Sequence, residues 1–187
     1  LEFRRVLFRS VLPGTYTVRL VVDGGTAQEA TFVVKKDPRT KATPADLVAQ
    51  YSLAMKIRDR TTDANDAVRT VRNVRDQAVS ASGKMGADSA QYAALVKTLD
   101  AKISEVEAQV YQVKNQSGQD PLNFPIKVNN QIAALGGVVG GTEARPTKQS
   151  LVVFDVLTKE LEGYLVELRK AWKELLPPVD DLRKKHG

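Results

Sequence analysis

The chain has 187 residues, 42% of them hydrophobic and 27% charged, enough apolar material for one or two cores and too much for wholesale disorder. It holds no cysteine and a single histidine, next to last in the chain, which argues against disulfides, thiolate chemistry, histidine–cysteine metal sites and a nucleophile–histidine pair. No apolar run reaches the length of a membrane span, and the net charge of +6 is spread out rather than gathered, a poor footprint for nucleic acid.

The first ten residues, LEFRRVLFRS, resemble one reading frame of a short-read sequencing adapter and are set apart as non-native. Their three arginines and one glutamate leave +4 of the +6 on residues 11–187. On this reading the gene is truncated at its 5′ end, and any signal peptide lay upstream. Residues 11–36 alternate like strands, with Tyr16, Val18, Leu20 and Val22 on one face and Ala30, Phe32 and Val34 on the return strand. Asp23-Gly24-Gly25 supplies the tight loop between them. The PGTYTVRL opening resembles the closing hairpin of bacterial immunoglobulin-like sandwich modules, which implies a hairpin left from a truncated sandwich. The other reading is a small hairpin packed on the helices, because two strands alone are marginal in water.

Residues 37–42 form a polar linker, and a helical bundle is expected over 43–187. Thr43-Pro44-Ala45-Asp46 is a helix start: a capping hydroxyl, a proline at the first helical position and a carboxylate near the free amides. The helix is predicted to run to about Ser80, burying Leu53, Ile57, Ala64, Val68, Val71, Val74 and Ala78. Its opposite face interleaves arginines with aspartates, and Asp66–Arg69 and Arg72–Asp76 are spaced for local pairing. The basic ridge at 69, 72 and 75 is expected to be a solvated, salt-laced face. Ser82-Gly83-Lys84-Met85-Gly86 breaks the helix, and Asp88 with Gln91 restarts it as a capping box. Tyr92, Leu95, Leu99, Ile103, Val106, Val110 and Val113 then form the stripe of an antiparallel partner helix.

Tyr111 to Val139 is the joint of the chain. Ser117-Gly118 and Asp120-Pro121 end the second helix, and Pro125 favours a short third one with Ile126, Ile132 and Leu135 inward. Phe124 is expected to plug the core between the two prolines. The joint is crowded with amides, among them Gln112, Asn115, Gln116, Asn123 and Asn129. These carry donors and acceptors together and can satisfy irregular backbone, or bind a sugar or peptide through Tyr111, Asn115, Gln116, Asn123, Phe124 and Asn129. Gly136-Gly137 and Gly140-Gly141 are expected to make a flexible turn without the ending of a phosphate loop. Pro146 or Thr147 opens the last long helix, with Leu151, Phe154, Thr158, Leu161, Leu165, Leu168, Trp172 and Leu175 on one stripe. Pro177-Pro178 is expected to stop it, leaving Val179 to Gly187 as a tail.

No catalytic, cofactor or metal site emerges. Asp59, Asp63 and Asp66 share a helix face, but arginines lie among them and calcium-loop spacing is absent. Glu105 with Glu107, and Glu160 with Glu162, stand two apart and face different ways, so neither makes an opposed glycosidase pair. The fold class is mainly α: an antiparallel bundle of three long helices and one short one, preceded by the hairpin.

The order PGTYTVRLVVDG, KKDPR, a long helix, YQVKNQSGQDPLNFPIKVNNQIAAL and a final helix is similar to the C-terminal region of large bacterial proteins. These are built on sortilin-like β-propellers with neuraminidase-type repeats and often labelled glycosyl hydrolases. The resemblance covers nearly all of Val11 to Leu176 and rests mainly on the joint. It implies export to the periplasm or cell exterior, an upstream propeller as the partner, and a non-catalytic structural or interaction module. A carbohydrate- or peptide-binding appendage, or a stabilising part of a parent glycosyl hydrolase, is the alternative. No catalytic residue of that propeller has a matching position here.

Overall fold

The computed structural model describes residues 11–22 and 25–186. Residues 1–10, Asp23 and Gly24 of the expected loop, and Gly187 lie outside the described residues. The two strands β1 (Gly14–Leu20) and β2 (Gln28–Val34) pair antiparallel, in register from Gly14 opposite Val34 to Leu20 opposite Gln28. With a side-chain period of two, Tyr16, Val18 and Leu20 share a face with Phe32 and Ala30, and the Tyr16 and Phe32 rings stack at 5.9 Å. That face is not covered by the helices: Val18, Leu20 and Phe32 are 56%, 59% and 50% exposed. Among the described residues the hairpin meets the bundle at its foot, beside Leu47, Tyr51 and Met55 of the first helix. There the Lys36 ammonium donates back to the linker carbonyls of Thr40 and Ala42 at 3.0 and 2.9 Å, and the linker's Thr40 hydroxyl donates to Glu143 O at 3.1 Å.

Helix α1 (Pro44–Ala81) starts where the sequence places it. The Thr43 hydroxyl oxygen accepts from Asp46 N, and the Asp46 carboxylate accepts from Thr43 N, so two stranded amides are satisfied reciprocally. Its 38 residues span about 57 Å, and Leu53, Ile57, Ala64, Val68, Val71 and Ala78 are buried as the stripe requires. Two 3-10 turns, Ser82–Lys84 and Gly86–Asp88, reverse the chain about buried Met85, with Gly86 at φ 49°, a conformation that favours glycine. Helix α2 (Ser89–Val110) returns antiparallel: the Tyr92 hydroxyl donates to Ala78 O at 3.2 Å, while Arg72 meets Glu107. Helix α3 (Val128–Gly140) packs mainly on α1, and α4 (Lys148–Lys185) mainly on α2 and α3. The core runs through all four, with Tyr92, Leu99, Ile103, Ile132 and Leu161 fully enclosed and Phe154 and Trp172 packed at its margin.

Several expectations need correction. Helix α4 does not stop at Pro177-Pro178 but continues to Lys185. Each proline removes an amide donor and crowds the preceding turn, about 3 kcal/mol in a helix interior. Beyond them Val179 is buried, Leu182 packs against the core, and Asp88 binds both Lys185 and His186. Tertiary contacts therefore carry the helix past its own breaker. Helix α3 likewise runs through Gly136-Gly137 instead of turning, because Ile132, Leu135, Gly136 and Val139 are buried together and offset the glycine penalty. Asp88 caps nothing with its side chain, which is committed to the end of α4.

The stripes also end earlier than expected. Tyr111 is extended, so the helical spacing does not reach Val113, which is exposed, and Ile126 precedes α3 and faces outward. Leu151 lies ten residues from Leu161, about 80° away round the helix at 100° per residue, and is exposed while Ser150 takes the inward place. Phe124 is half-buried beneath the Lys114 ammonium, 5.6 Å from its ring centre, and does not join the main core.

Candidate functional site

The amide-rich joint occupies the stretch between α2 and α3, around one 3-10 turn, Asp120–Leu122. Gln112 is buried and bridges it: its amide nitrogen donates to Pro125 O at 2.8 Å and its carbonyl accepts from Lys114 N at 3.3 Å. The Asp120 carboxylate accepts from the backbone amides of Gln116 and Ser117, and these hydrogen bonds hold its carboxyl below the usual carboxylate range. Asn129, buried at the start of α3, accepts from Asn130 N at 2.7 Å and donates to the Asn65 carbonyl oxygen on α1 at 3.2 Å. Gln131 donates to Ile126 O at 3.4 Å. Most of the carboxamides with a defined partner thus close backbone or tie helices together.

Of the six residues expected at a contact site, Tyr111 is half-buried with the Arg72 guanidinium 4.9 Å above its ring centre. Asn115 is half-buried, and its side-chain oxygen is enclosed without a hydrogen-bond partner. Gln116 and Asn123 are exposed, while Phe124 lies under Lys114 and Asn129 is committed to Asn65. The chemistry on offer is hydrogen bonding and ring contact. Only Asp120 and Lys114 bring charge to the middle of the joint, and Asp120 is engaged by backbone.

Beside the joint lies a charge cluster that sequence spacing did not reveal. Arg72 and Arg75 do not form a solvated ridge with local partners: both cross to α2. Arg72 Nε donates to Glu107 Oε1 at 2.7 Å and Arg75 Nη2 to Glu107 Oε2 at 3.0 Å. Arg75 also donates to Asp100 at 2.7 Å and to the Ser104 hydroxyl at 2.8 Å. Burial opposes the Arg75 charge, but the hydrogen bonds to Asp100 and Glu107 outweigh it and hold the guanidinium above its ordinary value. The one available signal was Glu107 itself, an acid falling beside Val106 and Ile103 on the inward side of α2. Asp59, Asp63 and Asp66 pair with Arg58, Arg60 and Arg69, and no group of three or more metal-ligating side chains occurs among the described residues.

A concavity lies at the foot of the hairpin, about 710 Å³ between Leu12, Pro13 and Val34 of the hairpin region and Leu47, Tyr51 and Met55 of α1. Its rim is already spoken for: Lys36 is held by two carbonyls, and the Gln50 amide donates to Val139 O at 2.6 Å and to Thr142 O. No described helix is long and apolar enough to cross a membrane. Comparison with protein-family models, curated proteins and solved structures finds no match to this chain.

Proposed function

We propose that the chain is a non-catalytic structural and interaction module, the C-terminal part of a larger exported protein with a sortilin-like propeller upstream. What supports this is the contrast between its two parts. The helices bury their seams around one core, while the hairpin leaves an apolar face and its edges bare beyond its anchored foot. A two-stranded sheet with an uncovered face is marginal alone and suits further strands laid beside it. Within the bundle the polar clusters are consumed by structure: Glu107 by two arginines, Asp120 by backbone, His186 by Asp88. The test is turnover. The purified chain is incubated with a panel of glycosides and peptides, and release of product at a rate proportional to enzyme overturns the proposal.

A carbohydrate- or peptide-binding role at the joint has one observation in its favour, the enclosed and unpartnered side-chain oxygen of Asn115. Glycan or peptide capture that is lost on Asn123→Ala, with the melting temperature unchanged, supports this second reading. Binding that survives the substitution removes it.

A further inference from the structure

The first half of α4 is apolar on the side that faces away from the bundle. At 100° per residue Val152, Val156, Lys159, Gly163 and Val166 fall within about a quarter of the helix circumference, opposite buried Leu161 and Leu168. The three valines are 60%, 57% and 48% exposed. A helix that is apolar on both sides is normally enclosed on both sides. Gly163, in mid-helix, has open space around the position of a Cβ, so no contact within the chain accounts for its cost relative to alanine.

We infer that this face is where a second copy of the chain docks, α4 against α4 in antiparallel two-fold pairing centred between Lys159 and Glu160. The charges select this occupant. Lys159 and Glu160 enter no ion pair among the described residues, Glu160 only accepting from the Tyr164 hydroxyl at 3.1 Å. A two-fold axis between them sets Lys159 of one copy opposite Glu160 of the other, and the reverse, without any other partner being needed. The same register places Val156 opposite Gly163, where the missing side chain admits the valine and lets the helix axes approach. A two-fold contact of this kind is closed and self-complementary, so it ends at a dimer. It is independent of the hairpin and of any upstream domain.

Sedimentation of the intact chain tests it. The expected result is a species of twice 20.5 kDa that dissociates on dilution through the micromolar range, and a monomer when Val156→Glu is introduced. Because Val156 is exposed, that variant keeps the parent's helical circular dichroism and melts as the parent does once the parent is diluted to monomer. The native chain has no cysteine, so the double variant Val156→Cys, Gly163→Cys reports the register. Within one helix the two positions are about 10.5 Å apart along the axis, too far for a disulfide. Across the antiparallel pair they meet, and oxidation gives a covalent dimer. A parent chain that is monomeric at every concentration, or a dimer that survives Val156→Glu, overturns the inference. So does a dimer in which the two introduced thiols fail to join.

Discussion

Substituting Arg75 by methionine isolates the electrostatic part of the α1–α2 contact while keeping most of the stem that packs there. The Glu107 side chain is only 6% exposed, and each of its oxygens has one arginine partner. Removing Arg75 strips Oε2 of its donor and leaves Asp100 with the Ser104 hydroxyl, at 3.1 Å, in place of the guanidinium. Breaking a fully buried ion pair by deleting one partner costs about 3–5 kcal/mol, and a hydrogen bond to a charged group about 1.5–3. Arg75 is itself 29% exposed and Arg72 stays in place, so the expected loss lies at the lower end, about 2 kcal/mol. For a chain of this length that lowers the melting temperature by about 4–8 °C. Urea unfolding followed by helical circular dichroism measures it, with an unchanged slope identifying a change in stability alone. Combining Arg75→Met with Glu107→Leu should recover part of the loss, because the buried acid goes with its donor; a coupling of about 1 kcal/mol is expected. If Arg75→Met unfolds within about 0.5 kcal/mol of the parent, or the two substitutions simply add, the cluster does not hold the helices together.

Leu168→Asp places a carboxylate where a 4% exposed leucine packs, and the chain should lose its cooperative melt; a parent-like melt refutes the inward face of α4. Two glycines should respond with opposite signs in the same urea assay. Gly86→Ala forces a side chain into φ 49° and should cost about 1 kcal/mol, whereas Gly137→Ala, in a helix with open space around it, should gain about 0.5–1. Acid should weaken the fold through carboxylates held low. Hydrogen bonds from Arg145 and Thr43 bring the Asp46 carboxyl from 3.8 to about 2, and Asp88, beside Lys185 and His186, is also lowered. Their stabilisation is complete above about pH 4 and disappears as pH falls through the folded values, so melting temperatures of parent and Asp46→Asn should converge towards pH 2.

Much of the architecture was legible in the sequence because it rests on local rules. The helix start at Thr43, the stripe from Leu53 to Ala78 and the break before Gly86 follow from spacing and backbone preference alone. The features that were not legible depend on partners distant in the chain. Pro177 and Pro178 look like a stop until Val179, Leu182 and Asp88 are seen to hold the final turns of α4. Gly136 looks like a hinge until its burial against the core is seen. The candidate site divides the same way. An amide-rich joint could be read from composition, but whether Gln112 or Asn129 serves backbone or ligand is decided by Pro125 and Asn65, which spacing does not locate. The Arg72–Arg75–Glu107 cluster was hidden because helix periodicity pairs neighbours on one rod and says nothing of the rod beside it.

The double proline gives the end of α4 a character of its own. Pro177 and Pro178 have no amide to donate, so the ladder loses two rungs just where it enters the last turns, and the residues beyond depend the more on Val179, Leu182 and the carboxylate of Asp88. Such a segment behaves as a detachable clasp. It is free to peel away and re-close while the body of the bundle stays folded, so amide exchange and protease nicking should reach its last two turns well before they reach Leu161.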